Sequence, residues 1–309
     1  MTKNPPHEQR DGGFLLIPLD TMKTGISILF SVLLSGPVLA QSVNRFQDSQ
    51  AIDVLLQYQP GRQKPLILAH RGGPGLVDTE NSIVTFTQTA SALPDVIIEM
   101  DVRMTLDSGF VLLHDATLDR ESNATGAVAE QTLVDLKNVK LKTLSGERTN
   151  QTITTFTEVL NWNKNSYLLA LDVKPGTDPL RVMQEVEMHQ AVHSVFIICY
   201  SFAEAQRVRD QYPTVWLAVG VNSMADLDRL ETNSLASGHL IALTPQQLQP
   251  ASYYERLHKL GVLCAVGTYG TGQLDEKPIK EAAIGYRDVF SRGGDVLTTD
   301  RPLEVSVLF

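Results

Sequence analysis

From about residue 60 onward the chain alternates between two kinds of segment. Short runs rich in branched aliphatic residues occur at 66–69, 96–100, 168–173, 195–200, 215–219, 240–243, 262–266 and 296–299. Each has strand length, and strands that are apolar without alternation are buried on both faces, as in a parallel sheet. Between most of them lie stretches with helical spacing. Thr155 and Glu158 form a capping-box pattern ahead of Val159 and Leu160. Pro179 stands near the start of another such stretch, with Val182, Val186 and His189 along one stripe. Residues 201–212, 223–235, 246–260 and 276–292 complete the set. Eight strands with helix-length connections predict an α/β fold, a (β/α)8 TIM barrel in a single domain over residues 65–309. An open doubly wound sheet is the alternative. Residues 110–113 read as a short extra strand after the second unit, with no large insertion there, and the polar residues 143–151 read as a loop. Residues 41–64 form an N-terminal segment, of which 41–60 reads as a helical cover over one barrel end.

Composition narrows the picture. With 43% hydrophobic residues the chain can bury a large core, and a net charge of −9 with no basic run argues against a nucleic-acid partner. Lys23 followed by an apolar run at 26–34, a Gly36-Pro37 break and small residues up to Ala40 has the form of a secretory signal peptide at 22–40, with an uncleaved anchor as the alternative. Residues 1–21 read as an upstream, non-native extension. The expectation is an exported protein, periplasmic or secreted, without a stable membrane anchor after cleavage. Cys199 and Cys264 lie in separate apolar runs and read as buried free thiols, with a disulfide as the alternative in an exported protein.

In a parallel barrel, functional groups sit at the C-terminal ends of the strands. His70 and Arg71 follow the first strand. Glu99 and Asp101, two apart on the second, project to one side. His114 and Asp115 end the excursion, and Asp172 and Lys174 end the third strand. Several carboxylates converging on one mouth repel each other unless offset. Lys174 and Arg71 can do so in part, and a divalent cation on oxygen ligands, Ca²⁺ or Mg²⁺, does so more completely. The glycines after Arg71 fit either a plain turn or the close approach of a bound anion.

With these residues in place, the chain resembles the glycerophosphodiester phosphodiesterase family. The matching pieces are HRG at 70–72, TENS at 79–82, EMDVRMTLDSGFVLLHDATLDR at 99–120, TITTFTEVL at 152–160, ALDVKP at 170–175, YSF at 200–202 and GGDVLTTDRP at 293–302. The resemblance implies a (β/α)8 barrel, one divalent cation, and hydrolysis of a small-molecule phosphodiester to glycerol phosphate and an alcohol. It implies Glu99, Asp101 and Asp172 as metal ligands, His70 and His114 as the acid/base pair, and Arg71 and Lys174 as phosphate-binding cations. Glu80 and Asp115 are placed around these as orienting groups, and Asp300 either joins them or caps the barrel rim. Three departures stand out: Asp172 replaces the usual glutamate, Thr79 a common proline, and Gly267-Thr268-Tyr269 a tryptophan-led motif. Two rival functions are a phospholipase-type phosphodiesterase acting on intact lipids and a non-catalytic exported phosphodiester-binding protein. Few apolar loops are expected at the barrel mouth.

Overall fold

The computed structural model describes residues 44–309. The segments read as an upstream extension and a signal peptide lie outside the described residues.

The strands are β1 (Leu66–Ala69), β2 (Ile97–Met104), β3 (Phe110–Leu112), β4 (Lys140–Lys142), β5 (Arg148–Thr152), β6 (Leu168–Val173), β7 (Val195–Cys199), β8 (Trp216–Gly220), β9 (Leu240–Thr244), β10 (Leu263–Gly267) and β11 (Val296–Thr299). The helices are α1 (Ser49–Leu56), α2 (Ile83–Ala92), α3 (Leu133–Leu136), α4 (Phe156–Asn163), α5 (Pro179–Met188), α6 (Phe202–Gln211), α7 (Met224–Glu231), α8 (Ala251–Lys259), α9 (Ile279–Arg292) and α10 (Pro302–Ser306). Parallel pairing runs β2-β6-β7-β8-β9-β10-β11-β1, and β1 pairs back onto β2 with Leu68 opposite Ile97. That last pairing closes an eight-stranded barrel and decides against the open sheet. Helix starts are fixed locally. Thr155 and Glu158 do form the capping box, and Ser82, Ser201 and Ser223 each accept a backbone N–H at the head of α2, α6 and α7.

Two apolar layers result. Outward-facing strand residues such as Ile98, Leu171 and Ile197 pack under the helices. Inward-facing Leu68, Ile97, Phe196, Trp216 and Leu263 meet Phe46, Ile52 and Leu56 from the α1 segment, which seals one end of the barrel. Burying each large side chain of that plug contributes about 1.5–3 kcal/mol. Trp216 Nε1 also donates to Asp53 of α1 at 2.8 Å. With that end filled, the opposite, C-terminal end remains for a site. Cys199 and Cys264 are buried and unpaired. Among the described residues, no helix is long and apolar enough to cross a membrane.

Two expectations fail. Residues 105–155 are a substantial insertion after β2, with its own small core of Val111, Leu113, Leu118, Val128, Leu136, Leu141 and Ile153. The polar stretch 143–151 is largely the turn and second strand of a β4–β5 hairpin, with Lys142 paired to Arg148. Both were hidden for one reason. Beyond the 110–113 strand, which the sequence does show, the insertion's apolar residues are too widely spaced for either strand or helix periodicity, and β5 is wholly polar.

Candidate active site

Register builds the centre of the site. β2 and β6 pair so that Asp101 lies directly opposite Asp172, and Glu99 stands two residues back on the same face of β2. One carboxylate oxygen from each of Glu99, Asp101 and Asp172 lies within 4.8 Å of the others. Glu99 and Asp101 are buried.

Burial and the charges of Asp101 and Asp172 push the Glu99 carboxyl well above its ordinary value. Burial opposes ionisation of Asp101 too, but Lys174 and other cations pull its pKa below normal. Lys174 Nζ sits 2.6 Å from both Asp101 and Asp172, whose charges overcome its own burial and raise its pKa. Two oxygens still lack hydrogen-bond donors: Asp172 Oδ1, and Asp101 Oδ1, which has only the ionic contact with Lys174. Three clustered carboxylates, an orphaned buried oxygen and no nitrogen or sulfur donor suit a hard divalent cation.

The first-strand residues are held from behind. Arg71 adopts φ +52°, an uncommon region for a side-chain-bearing residue, and its N–H donates to Glu99 Oε2 at 2.6 Å. Gly72 and Gly73 also have positive φ, and a Cβ on either would collide, at Gly72 with Phe86 (2.5 Å) and at Gly73 with Pro302. Turn geometry and packing therefore account for these glycines without an anion. Asn81 clamps Asp101 twice, donating to Oδ2 at 2.7 Å and accepting its N–H at 3.0 Å.

Each imidazole has its own carboxylate. His70 Nδ1 lies 2.7 Å from Asp300, and His114 Nδ1 lies 2.8 Å from Asp115. An ionised carboxylate only accepts, so both rings carry the proton on Nδ1 and leave Nε2 free for chemistry. His70 stacks on Tyr269 with centroids 3.7 Å apart. Burial lowers the pKa of His114, with the charge of Asp101 working against that shift. Asp115 is held well below its ordinary pKa, mainly by the Arg120 guanidinium. Arg120 also grips both oxygens of Glu80 at 2.8 Å, and Glu80 accepts from Arg71 at 3.0 Å. One chain of charged contacts thus links the two sides of the mouth.

His70, Glu99, Asp172, Gln246, Thr244 and Tyr269 are among the residues lining a cavity of about 180 Å³ over the barrel. All the candidate residues named from the sequence gather at this end. Asn81, Arg120, Asp300's bond to His70, and Glu121 were not assigned there. Glu121 accepts the backbone N–H groups of His114 and Asp115. Arg120 and Asn81 lie within the quoted motifs, which was the one available signal. Asp300 also lies within a quoted motif, at the end of the last strand.

The sequence profile of the Glycerophosphoryl diester phosphodiesterase family matches residues 70–283. The chain belongs to this family. The family is one of phosphoric diester hydrolases. In structure the chain is similar to a Glycerophosphoryl diester phosphodiesterase from Parabacteroides distasonis, with 32% identity, a TM-score of 0.78, and coverage of 84% of this chain and 91% of that one. In sequence it is 34% identical over 115 residues to a glycerophosphodiester phosphodiesterase of Caldanaerobacter subterraneus, covering 37% of this chain and 46% of the relative. It is 39% identical over 74 residues to one from Bacillus subtilis, covering 24% and 25%. Across four such relatives the aligned stretch spans between 25% and 65% of the relative's own length.

Proposed function

We propose that this family member hydrolyses glycerophosphodiesters to glycerol phosphate and an alcohol, with one divalent cation and two histidines. The observation that carries the reading is the carboxylate trio of Glu99, Asp101 and Asp172, with His70 lining the same cavity, His114 near enough to feel the charge of Asp101, and each imidazole oriented by a carboxylate. The cation, Ca²⁺ or Mg²⁺, would be held by the trio and would supply neutralisation of the charge on the phosphate. Arg71 binds a further oxygen through its forked donors, steadied by Glu80. Lys174 donates to Asp172 Oδ2 and makes an ionic contact with Asp101, which leaves it a donor for phosphate. One imidazole takes a proton through Nε2 from the nucleophile, which is either water, giving glycerol phosphate directly, or the substrate's neighbouring hydroxyl, giving a cyclic phosphate that water opens in a second step. The other, as the doubly protonated imidazolium, gives its Nε2 proton to the leaving alkoxide and keeps its Nδ1 proton hydrogen-bonded to its carboxylate.

His70→Ala and His114→Ala, assayed on glycerophosphocholine, are expected to lose about 10²–10⁴-fold in kcat. Unchanged turnover in either variant ends the two-histidine scheme. EDTA is expected to abolish turnover and Ca²⁺ or Mg²⁺ to restore it; binding without product after metal addition would favour a pure binding protein.

The pattern at 22–40 supports export as a further part of this reading. Mass analysis of the protein expressed with its full N-terminus is expected to show cleavage after Ala40, and an intact Met22 would count against it.

A further inference from the structure

Resting on the reading of the mouth as a phosphodiesterase site, we propose that the rim beside His114 docks on an anionic lipid bilayer, so that the site meets phosphodiesters at a membrane surface. The rim carries three apolar side chains in water. Leu76 and Val77, in the loop after β1, are 73% and 75% exposed, and Leu144, in the β4–β5 turn, is 41% exposed. They form one patch, because Leu144 N–H donates to Asp78 O at 3.0 Å and Ser145 N–H to Leu76 O at 2.9 Å. Exposed apolar side chains grouped this way mark a contact surface, and none of the three adds to the barrel core.

The patch adjoins the catalytic groups. Leu144 and Lys142 line a small cavity with Glu80 and Arg120, and Arg120 is the residue that holds Asp115 against His114. The sequence leads to an expectation of few apolar loops at the barrel mouth, and these three exposed side chains are the exception to it.

Charge selects the partner. The protein as a whole carries −9, yet the hairpin beside the patch bears Lys140, Lys142 and Arg148 against Glu147 alone. Among the described residues, none of these three cations has a carboxylate within 4.0 Å; the Lys140 and Lys142 ammonium groups reach only the carbonyls of Asn150 and Asp119, each at 2.9 Å. Lys142 and Arg148 are cross-strand partners, an unfavourable pair of like charges unless an anion relieves it. Apolar tips flanked by unneutralised cations suit insertion at a headgroup boundary of negative charge. An acidic protein or a neutral bilayer would satisfy only part of this arrangement.

The test is vesicle flotation of the full protein at low salt. Binding is expected to vesicles of mixed phosphatidylglycerol and phosphatidylcholine and not to phosphatidylcholine alone. The Lys142→Gln/Arg148→Gln pair is expected to weaken binding by about 10- to 30-fold, from roughly 1 kcal/mol per charge. Leu76→Ser/Val77→Ser/Leu144→Ser is expected to lose binding while turnover of soluble glycerophosphocholine stays at the wild-type level. Absence of wild-type binding, or equal binding by the triple variant, overturns the docking. A concentration-dependent dimer that the triple variant abolishes would assign the patch to a second copy instead. Loss of soluble turnover in the wild type would strike the phosphodiesterase reading and leave the flotation result standing.

Discussion

Asp300 Oδ1 lies 2.7 Å from His70 Nδ1, a contact between the last barrel strand's end and the first. It exists because β11 pairs with β1, with Thr299 opposite Ala69, so the two residues that follow are neighbours. Asp300 is itself set in place through its N–H, which donates to Asp275 at 2.7 Å.

Replacing Asp300 by asparagine keeps the shape but lets the amide offer N–H to Nδ1, so the ring can hold its proton on the wrong nitrogen. Asp300→Asn is expected to lower kcat by about 10- to 100-fold, the usual cost of removing a histidine's orienting partner, with KM little changed. Steady-state kinetics on a soluble diester checks it; an equal rise in KM would place the residue in substrate binding.

The pH profile should report His114. Burial places its pKa below the ordinary histidine value of 6.5, while its hydrogen bond to Asp115 pulls the other way. The limb of the kcat/KM profile that belongs to this ring is therefore expected below 6.5. Asp115→Asn removes the raising contact and should move that limb lower still. A limb that moves upward in this variant would contradict the assignment.

The acid trio should cost stability when no cation is bound. Glu99 has a raised folded pKa, so its contribution to stability is present below the unfolded value of 4.5 and is lost as pH rises through the folded one. Above that unfolded value the unfolded chain ionises Glu99 freely, whereas burial and the charges of Asp101 and Asp172 oppose its ionisation in the fold. Glu99→Gln, whose amide oxygen can still accept the Arg71 N–H, is expected to melt higher than wild type in EDTA. It is also expected to gain less from added Ca²⁺ or Mg²⁺. Thermal melts with and without metal decide it, and identical gains in both proteins would remove Glu99 from the ligand set.

Much of this was legible in the sequence. Strand and helix periodicity, the Thr155 capping box and the strand-end placing of His70, Glu99, Asp101, Asp172 and Lys174 are local properties, set by residues a few positions apart. A strand ending in an ionisable residue announces itself along the chain, and alternation puts Glu99 and Asp101 on one side before any pairing is known. The insertion at 105–155 escaped because its small core is assembled from side chains with no shared period.

By itself, then, the amino-acid order determined the barrel's repeating units and which charged groups arrive at one end, because backbone alternation and apolar patterning are short-range. Only the tertiary structure decided that β1 closes on β2, that Asp101 faces Asp172 across a strand pair, that Asp300 reaches His70, and that Leu76 and Leu144 share a patch. Those relations depend on strand register and loop packing between residues far apart in the chain, where the energy comes from simultaneous burial and hydrogen bonding across the whole barrel.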